Sequence, residues 1–144
     1  KAGNIRAGDV MILSSVSGRN LEPIQIAITC REMGVRTIAF TSLDYTAQVT
    51  SLHPSGKRLF EAVDVVLDCG APYGDAAVAL PGYEANLLPV SGIGMDVLGW
   101  MLWETVLRRM TESGTPPAAF MSFNRKGGEE AHKNTLKLYN DRGY

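Results

Sequence analysis

Residues 10–41, VMILSSVSGRNLEPIQIAITCREMGVRTIAFT, decide the fold. Val10 to Ser14 is a short, nearly continuous apolar run, the pattern of a strand buried on both faces. Asn20 suits a helix N-cap, and Pro23 in the first turn costs little because the early N–H groups lack helical partners. Leu21, Ile24, Ala27, Ile28 and Arg31 recur at helical spacing, with Gly34 as a natural stop. Val35 to Thr41 reads as a second buried strand. Strand, helix and strand in this order form a βαβ unit, and a crossover of that kind joins parallel neighbours.

The alternation continues downstream. Residues 43–56 read as a polar loop, Gly56 to Ala62 as a short helix and Asp64 to Asp68 as a third strand. The Gly- and Pro-rich segment 69–83 reads as irregular, and Leu87 to Val90 as a fourth short strand. Ser91 then caps a helix over 93–112, whose apolar positions include Val97, Leu98, Met101, Leu102 and Val106. Gly114, Pro116 and Pro117 end it. Ala118 to Ser122 reads as a last strand and Glu129 to Tyr139 as a closing helix. No repeat, low-complexity tract or linker interrupts the chain. The expectation is an α/β fold: a three-layer α/β/α sandwich, Rossmann-like, with a mostly parallel sheet of about four to five strands in one domain over residues 1–144.

Composition narrows the function. Among 144 residues, 45% are hydrophobic and 20% charged, so the chain has the means to bury a core. Fourteen basic residues face fifteen acidic ones, a net charge of -1. That balance gives no electrostatic reason to expect nucleic acid or an anionic membrane as partner. Glu104 interrupts the longest apolar candidate before it reaches the roughly 18 residues a membrane span needs. Cys30 and Cys69 stand in neither a CxxC pair nor a histidine-rich setting, which fits small core residues in a reducing compartment. No signal peptide is visible, so a cytoplasmic location is expected.

The run SSVSGRN at 14–20 concentrates hydrogen-bonding groups where the first strand meets its helix. In a parallel sheet, ligands sit beyond the carboxyl ends of the strands. Free N–H groups at a helix start carry partial positive charge and favour an anion. Ser15, Ser17 and Asn20 add short side-chain donors, and Gly18 lets the backbone approach closely. A phosphate has several acceptor oxygens to satisfy at once, so the turn is a candidate phosphate cradle. The alternative is that Ser17 and Asn20 only cap the helix. Arg19 either reaches the phosphate or is solvated.

The stretch ILSSVSGRNLEPIQIA resembles the S-x-S-G-x-[TN] phosphate loop of sugar isomerase (SIS) domains. The similarity continues through GVRTIAFTSL, HPSGKRLFEAVDVVLDCGAPYGDAA, PVSGIG and NRKGGEEAHKN, across nearly the whole chain. It is greatest to SIS-domain proteins that carry a phosphoheptose-isomerase label. The resemblance implies a five-stranded parallel α/β sandwich that binds a phosphorylated sugar. Position by position, Ser15, Ser17 and Asn20 match the phosphate-binding side chains, with an amide at Asn20 where many members have threonine. Ser42 and Leu43 match the loop that lines the sugar, and Ser91 matches the start of a helix pointing toward the same pocket. Family members usually carry an earlier strand, a Gly/Ser loop and a helix before this point. The sequence starts at Lys1 without them, so a truncated domain or a neighbouring segment that completes the sheet is expected.

Aldose–ketose isomerisation needs a base to move a proton between adjacent carbons and an acid to help open the ring. Family isomerases use a glutamate, often with a histidine. Glu104 is one candidate if burial among Trp100, Trp103 and Leu107 tunes it. Its alternative is a surface glutamate paired with Arg108 one turn on. His53, in SLHPSG, is a candidate ring-opening group or a turn residue. Glu130 and His132 either reach the site, including from another subunit, or begin the last helix in solvent. Asp75 either binds a sugar hydroxyl or caps a turn.

Other motifs fail. SGKRL lacks the earlier glycine of a Walker loop, GIGMDVLG places its third glycine too late for a dinucleotide fingerprint, and SVSGR is not G-x-S-x-G. Two scattered histidines and two scattered cysteines make no structural zinc site. No cofactor and no metal are therefore expected. The expected partners are a small-molecule sugar phosphate and further copies of the chain, as a dimer or tetramer, because Trp100 and Trp103 mark an apolar helix face.

Overall fold

The computed structural model describes residues 4–142. The chain divides into two compact units, residues 1–99 and 100–144. The first holds β1 (Val10–Ser14), α1 (Leu21–Glu32), β2 (Arg36–Thr41), α2 (Leu43–Ala47), α3 (Leu59–Ala62), β3 (Val65–Asp68), β4 (Ala76–Val78) and β5 (Leu87–Pro89). It also holds the first turns of α4 (Ser91–Glu112), whose remainder joins α5 (Gly128–Arg142) in the second unit.

The βαβ reading holds. β1, β2 and β3 form a parallel sheet in that order, with Val10 opposite Arg36 and Ile38 opposite Val65. Helix α1 ends where expected: Met33 caps it and Gly34 follows at φ +76°, a backbone conformation that glycine adopts without strain. Leu13, Ile24, Ala27, Ala39, Leu59 and Ala62 form the core between the sheet and the α1–α3 pair. On the opposite face, a Cβ at Gly99 of α4 would lie 3.8 Å from the Phe40 ring. The α/β class with a parallel sheet is thus as expected.

Several local expectations change. Among the described residues the parallel sheet has three strands rather than four or five. The fourth segment does form β5, but it pairs antiparallel with β4, inside the segment read as irregular, to make a separate two-stranded ribbon. Residues 43–56 are not all loop, because Ser42 caps the short α2. Segment 118–122 forms no strand. There Ala119 O accepts from the Thr135 hydroxyl at 3.0 Å, and Phe120 and Phe123 pack on the His132 ring with centroids 5.1 and 4.5 Å away. The apolar side chains of this segment meet a helix instead of a sheet edge. β1 is covered on one face only: Leu13 is buried, whereas Val10 and Ile12 are 58% and 39% exposed. Among the described residues no strand lies on its outer edge, and no helix is long and apolar enough to cross a membrane.

Candidate functional site

The turn from Ser15 to Asn20 is held in place by its carbonyl groups. Ser42 N–H donates to Val16 O at 3.0 Å, Leu59 N–H to Gly18 O at 2.8 Å and Leu52 N–H to Arg19 O at 2.9 Å. The Thr41 hydroxyl adds a second donor to Val16 O at 3.2 Å. In a planar trans peptide, the C=O of one residue and the N–H of the next point in opposite directions. With the carbonyls of Val16, Gly18 and Arg19 drawn into the protein, the N–H groups of Ser17, Arg19 and Asn20 face the other way. None of these three donates to a protein acceptor among the described residues. They stand directly before the first turn of α1, whose own N–H groups have no partner within the helix.

An open cavity of about 630 Å³ lies beside this turn. Ser14, Ser15, Ser17, Asn20 and Glu22 supply its polar lining, and Ile12, Leu21, Pro23 and Ile26 much of its apolar lining. Asn20 occupies the N-cap position with extended backbone, yet its side chain makes no capping bond. Its amide is therefore free to serve a ligand. Gly18 is buried under the turn at φ +61°, and a Cβ there would lie 3.0 Å from Thr46 Oγ1 and 3.1 Å from Thr41 Oγ1. Both the conformation and the space require glycine. Gly18 and Arg19 do not line the cavity. Arg19 Nε is buried without a hydrogen-bond partner.

The other sequence candidates are spread over both units. Ser42 is fully buried: its hydroxyl donates to Ala71 O at 2.5 Å and accepts from Tyr45 N–H at 3.0 Å. Leu43 N–H donates to Asp68 Oδ1 at 3.2 Å, while its side chain is exposed. Asp75, at φ +66°, accepts from Ser91 N–H at 2.8 Å and from the Ser91 hydroxyl at 2.7 Å. These two candidates satisfy each other at the start of α4. His53 Nδ1 accepts from Ser55 N–H at 3.1 Å, and its Nε2 lies 3.0 Å from Gln25 Oε1. In the second unit, Glu104 is exposed and accepts from Arg108 Nε at 2.9 Å, an ion pair across one helical turn. His132 lies between Phe120 and Phe123, and Glu130 is exposed in the first turn of α5. The turn thus brings together Ser15, Ser17 and Asn20. Ser42, Leu43, His53, Asp75 and Ser91 share their unit but do not line the cavity, and Glu104 and His132 belong to the other unit.

Residues not singled out from sequence complete the setting. Glu22 lines the cavity, Thr41 and Thr46 floor the turn, and Gln25 holds His53. Gln25 lies 28 positions before His53, so no local signal marks the pair. Glu22 stands at the second position of α1, close in sequence to the turn. Among the described residues no group of three or more His, Cys, Asp or Glu side chains is arranged to hold a metal ion.

A family model of the SIS domain matches residues 1–42. A UPF0309 protein of Listeria innocua is 37% identical over 139 residues, 96% of this chain and 56% of that one. One of Geobacillus kaustophilus is 38% identical over 140 residues, covering 96% and 55%. One of Halalkalibacterium halodurans is 39% identical over 138 residues, covering 93% and 52%. The chain spans about half the length of the curated relatives it matches. The chain is thus similar to the SIS domain over its first 42 residues and to the UPF0309 proteins over almost its whole length.

Proposed function

We propose that the turn at Ser15–Asn20 binds the phosphate of a phosphorylated sugar. The observation that carries this reading is the outward set of N–H groups at Ser17, Arg19 and Asn20, with the unengaged Asn20 side chain beside an open cavity. A phosphate bound there would meet backbone donors, hydroxyls and the positive end of α1 together. The SIS-domain match over the same residues agrees with this chemistry.

Aldose–ketose isomerisation, with Glu104 or a histidine moving the proton, is the enzymatic extension. The alternative is a sensing module that recognises the same ligand without turnover. The Glu104–Arg108 pair and the engagement of both His53 ring nitrogens favour the sensing module. Self-association through the helix that exposes Trp100 and Trp103 belongs to the same proposal. So does a reducing, cytoplasmic setting, which suits the free Cys30 and Cys69.

A thermal-shift series of hexose, heptose and amino-sugar phosphates, run beside the free sugars, tests the reading. A ligand that binds only the native state raises its stability by mass action. Shifts confined to the phosphorylated compounds are expected, and equal shifts with free sugars would remove the anion-cradle argument.

A further inference from the structure

The outward N–H groups depend on carbonyls held by a different segment, the loop 48–58 between α2 and α3. Leu52 N–H grips Arg19 O, and Leu59 N–H, just beyond the loop, grips Gly18 O. One side chain fastens this loop to α1. Ser55 N–H can only donate, so His53 Nδ1 is its acceptor, at 3.1 Å. The ring proton of the neutral imidazole is then on Nε2, where it meets Gln25 Oε1 at 3.0 Å. Gln25 is itself oriented by its amide group, which donates to Thr29 Oγ1 at 3.3 Å. Ser51 and Gly56 brace the same loop through Ser51 Oγ to Lys57 O at 2.6 Å and Gly56 N–H to His53 O at 2.9 Å.

We propose that His53 is a positioning residue: by bonding Gln25 it latches loop 48–58 to α1, and the latched loop fixes where the N–H groups of Arg19 and Asn20 point. Its relevance to ligand binding rests on the proposed phosphate site, whereas the latch itself is a property of the free protein. The two halves of the imidazole can be separated by substitution. In His53→Asn, the amide oxygen keeps an acceptor near the Nδ1 position for Ser55 N–H but cannot reach Gln25. Gln25→Ala breaks the same link from the helix side.

The experiment measures amide hydrogen exchange by NMR and affinity for glucose 6-phosphate in wild type, His53→Asn, Gln25→Ala and the double variant. Each single variant is expected to speed exchange at Leu52 and Leu59 by about 2- to 10-fold, the scale of one ordinary hydrogen bond. Exchange at Ala39, in the core strand, stays unchanged, and the double variant matches the singles because all three break one link. Affinity falls by a similar factor. Uniform acceleration across the core, additive effects in the double variant, or unchanged exchange at Leu52 and Leu59 would each overturn the latch. If wild type fails to bind glucose 6-phosphate or inorganic phosphate while Leu52 and Leu59 respond selectively, the latch stands and the phosphate reading falls. Two routes to the same broken link keep the test decisive if one variant does not fold.

Discussion

At Ser17 and Gly18, adjacent residues in one turn make separable contributions. Ser17 offers a hydroxyl to the cavity, whereas Gly18 supplies only a conformation and the absence of a side chain. Ser17→Ala is expected to leave the urea midpoint nearly unchanged and weaken sugar-phosphate binding by about 1–3 kcal/mol, the scale of a hydrogen bond to a charged group. Gly18→Ala combines a left-handed backbone with a methyl group pressed on two threonine hydroxyls. It is expected to destabilise the protein by about 1–3 kcal/mol, read as a lowered urea midpoint at unchanged slope. If Gly18→Ala proved neutral, the tight floor formed by Thr41 and Thr46 would be refuted. The serines and the glycine were legible because a strand-to-helix turn confines them to a few adjacent positions. The mutual capping of Asp75 and Ser91 was not, since it joins residues 16 positions apart. Glu104 could be read two ways because helical spacing permits both a buried face and an i,i+4 pair, and only the observed exposure separates them.

Among the elements, the βαβ unit was legible because each part is marked within its own few residues: apolar runs, a cap, a glycine stop. In the β4–β5 ribbon the strand at 87–90 was legible, but β4 and their antiparallel pairing were not, because both strands are three residues long and pair only with each other. The tie that closes the unit is also non-local. Asp64, just before β3, accepts from Thr37 N–H and from the Thr37 hydroxyl, each at 2.9 Å, and pairs with Arg31 of α1 at 3.2 Å. The hydrogen bonds from Thr37, helped by the Arg31 and Arg36 charges, hold its carboxyl below the ordinary aspartate value of 3.8. A carboxyl whose folded pKa is depressed stabilises the fold above its unfolded pKa, and that contribution is lost as pH falls through the folded value. Asp64→Asn is therefore expected to lower the urea midpoint at neutral pH. The gap to wild type should narrow as pH falls below the ordinary aspartate value of 3.8 and folded Asp64 gains its proton. A gap independent of pH would mean that ionised Asp64 contributes no more than its own protonated form.

For the molecule as a whole, the balance of buried and exposed apolar surface is the informative quantity. Monomeric proteins expose scattered apolar side chains, but seldom several large ones along one helix. In the second unit, Trp100, Met101, Trp103 and Leu107 of α4 are 76%, 62%, 52% and 45% exposed. The inward side of this helix is carried by Leu102, Val106 and Met110, which are only partly covered. Leaving two tryptophans in water forgoes the largest side-chain contribution to burial that the chain possesses. A second copy meeting this helix in a twofold arrangement would cover the same residues on both chains at once. Sedimentation equilibrium at tens of micromolar is expected to give a mass above that of one chain. Trp100→Glu should lower the association constant by at least about tenfold, because the dimer would bury an unpaired carboxylate. The urea midpoint of the dissociated chain should change little, since Trp100 already faces solvent there. A single-chain mass for wild type at that concentration would remove the apolar face as an argument for self-association and leave the sugar-phosphate proposal, which rests on the other unit, untouched.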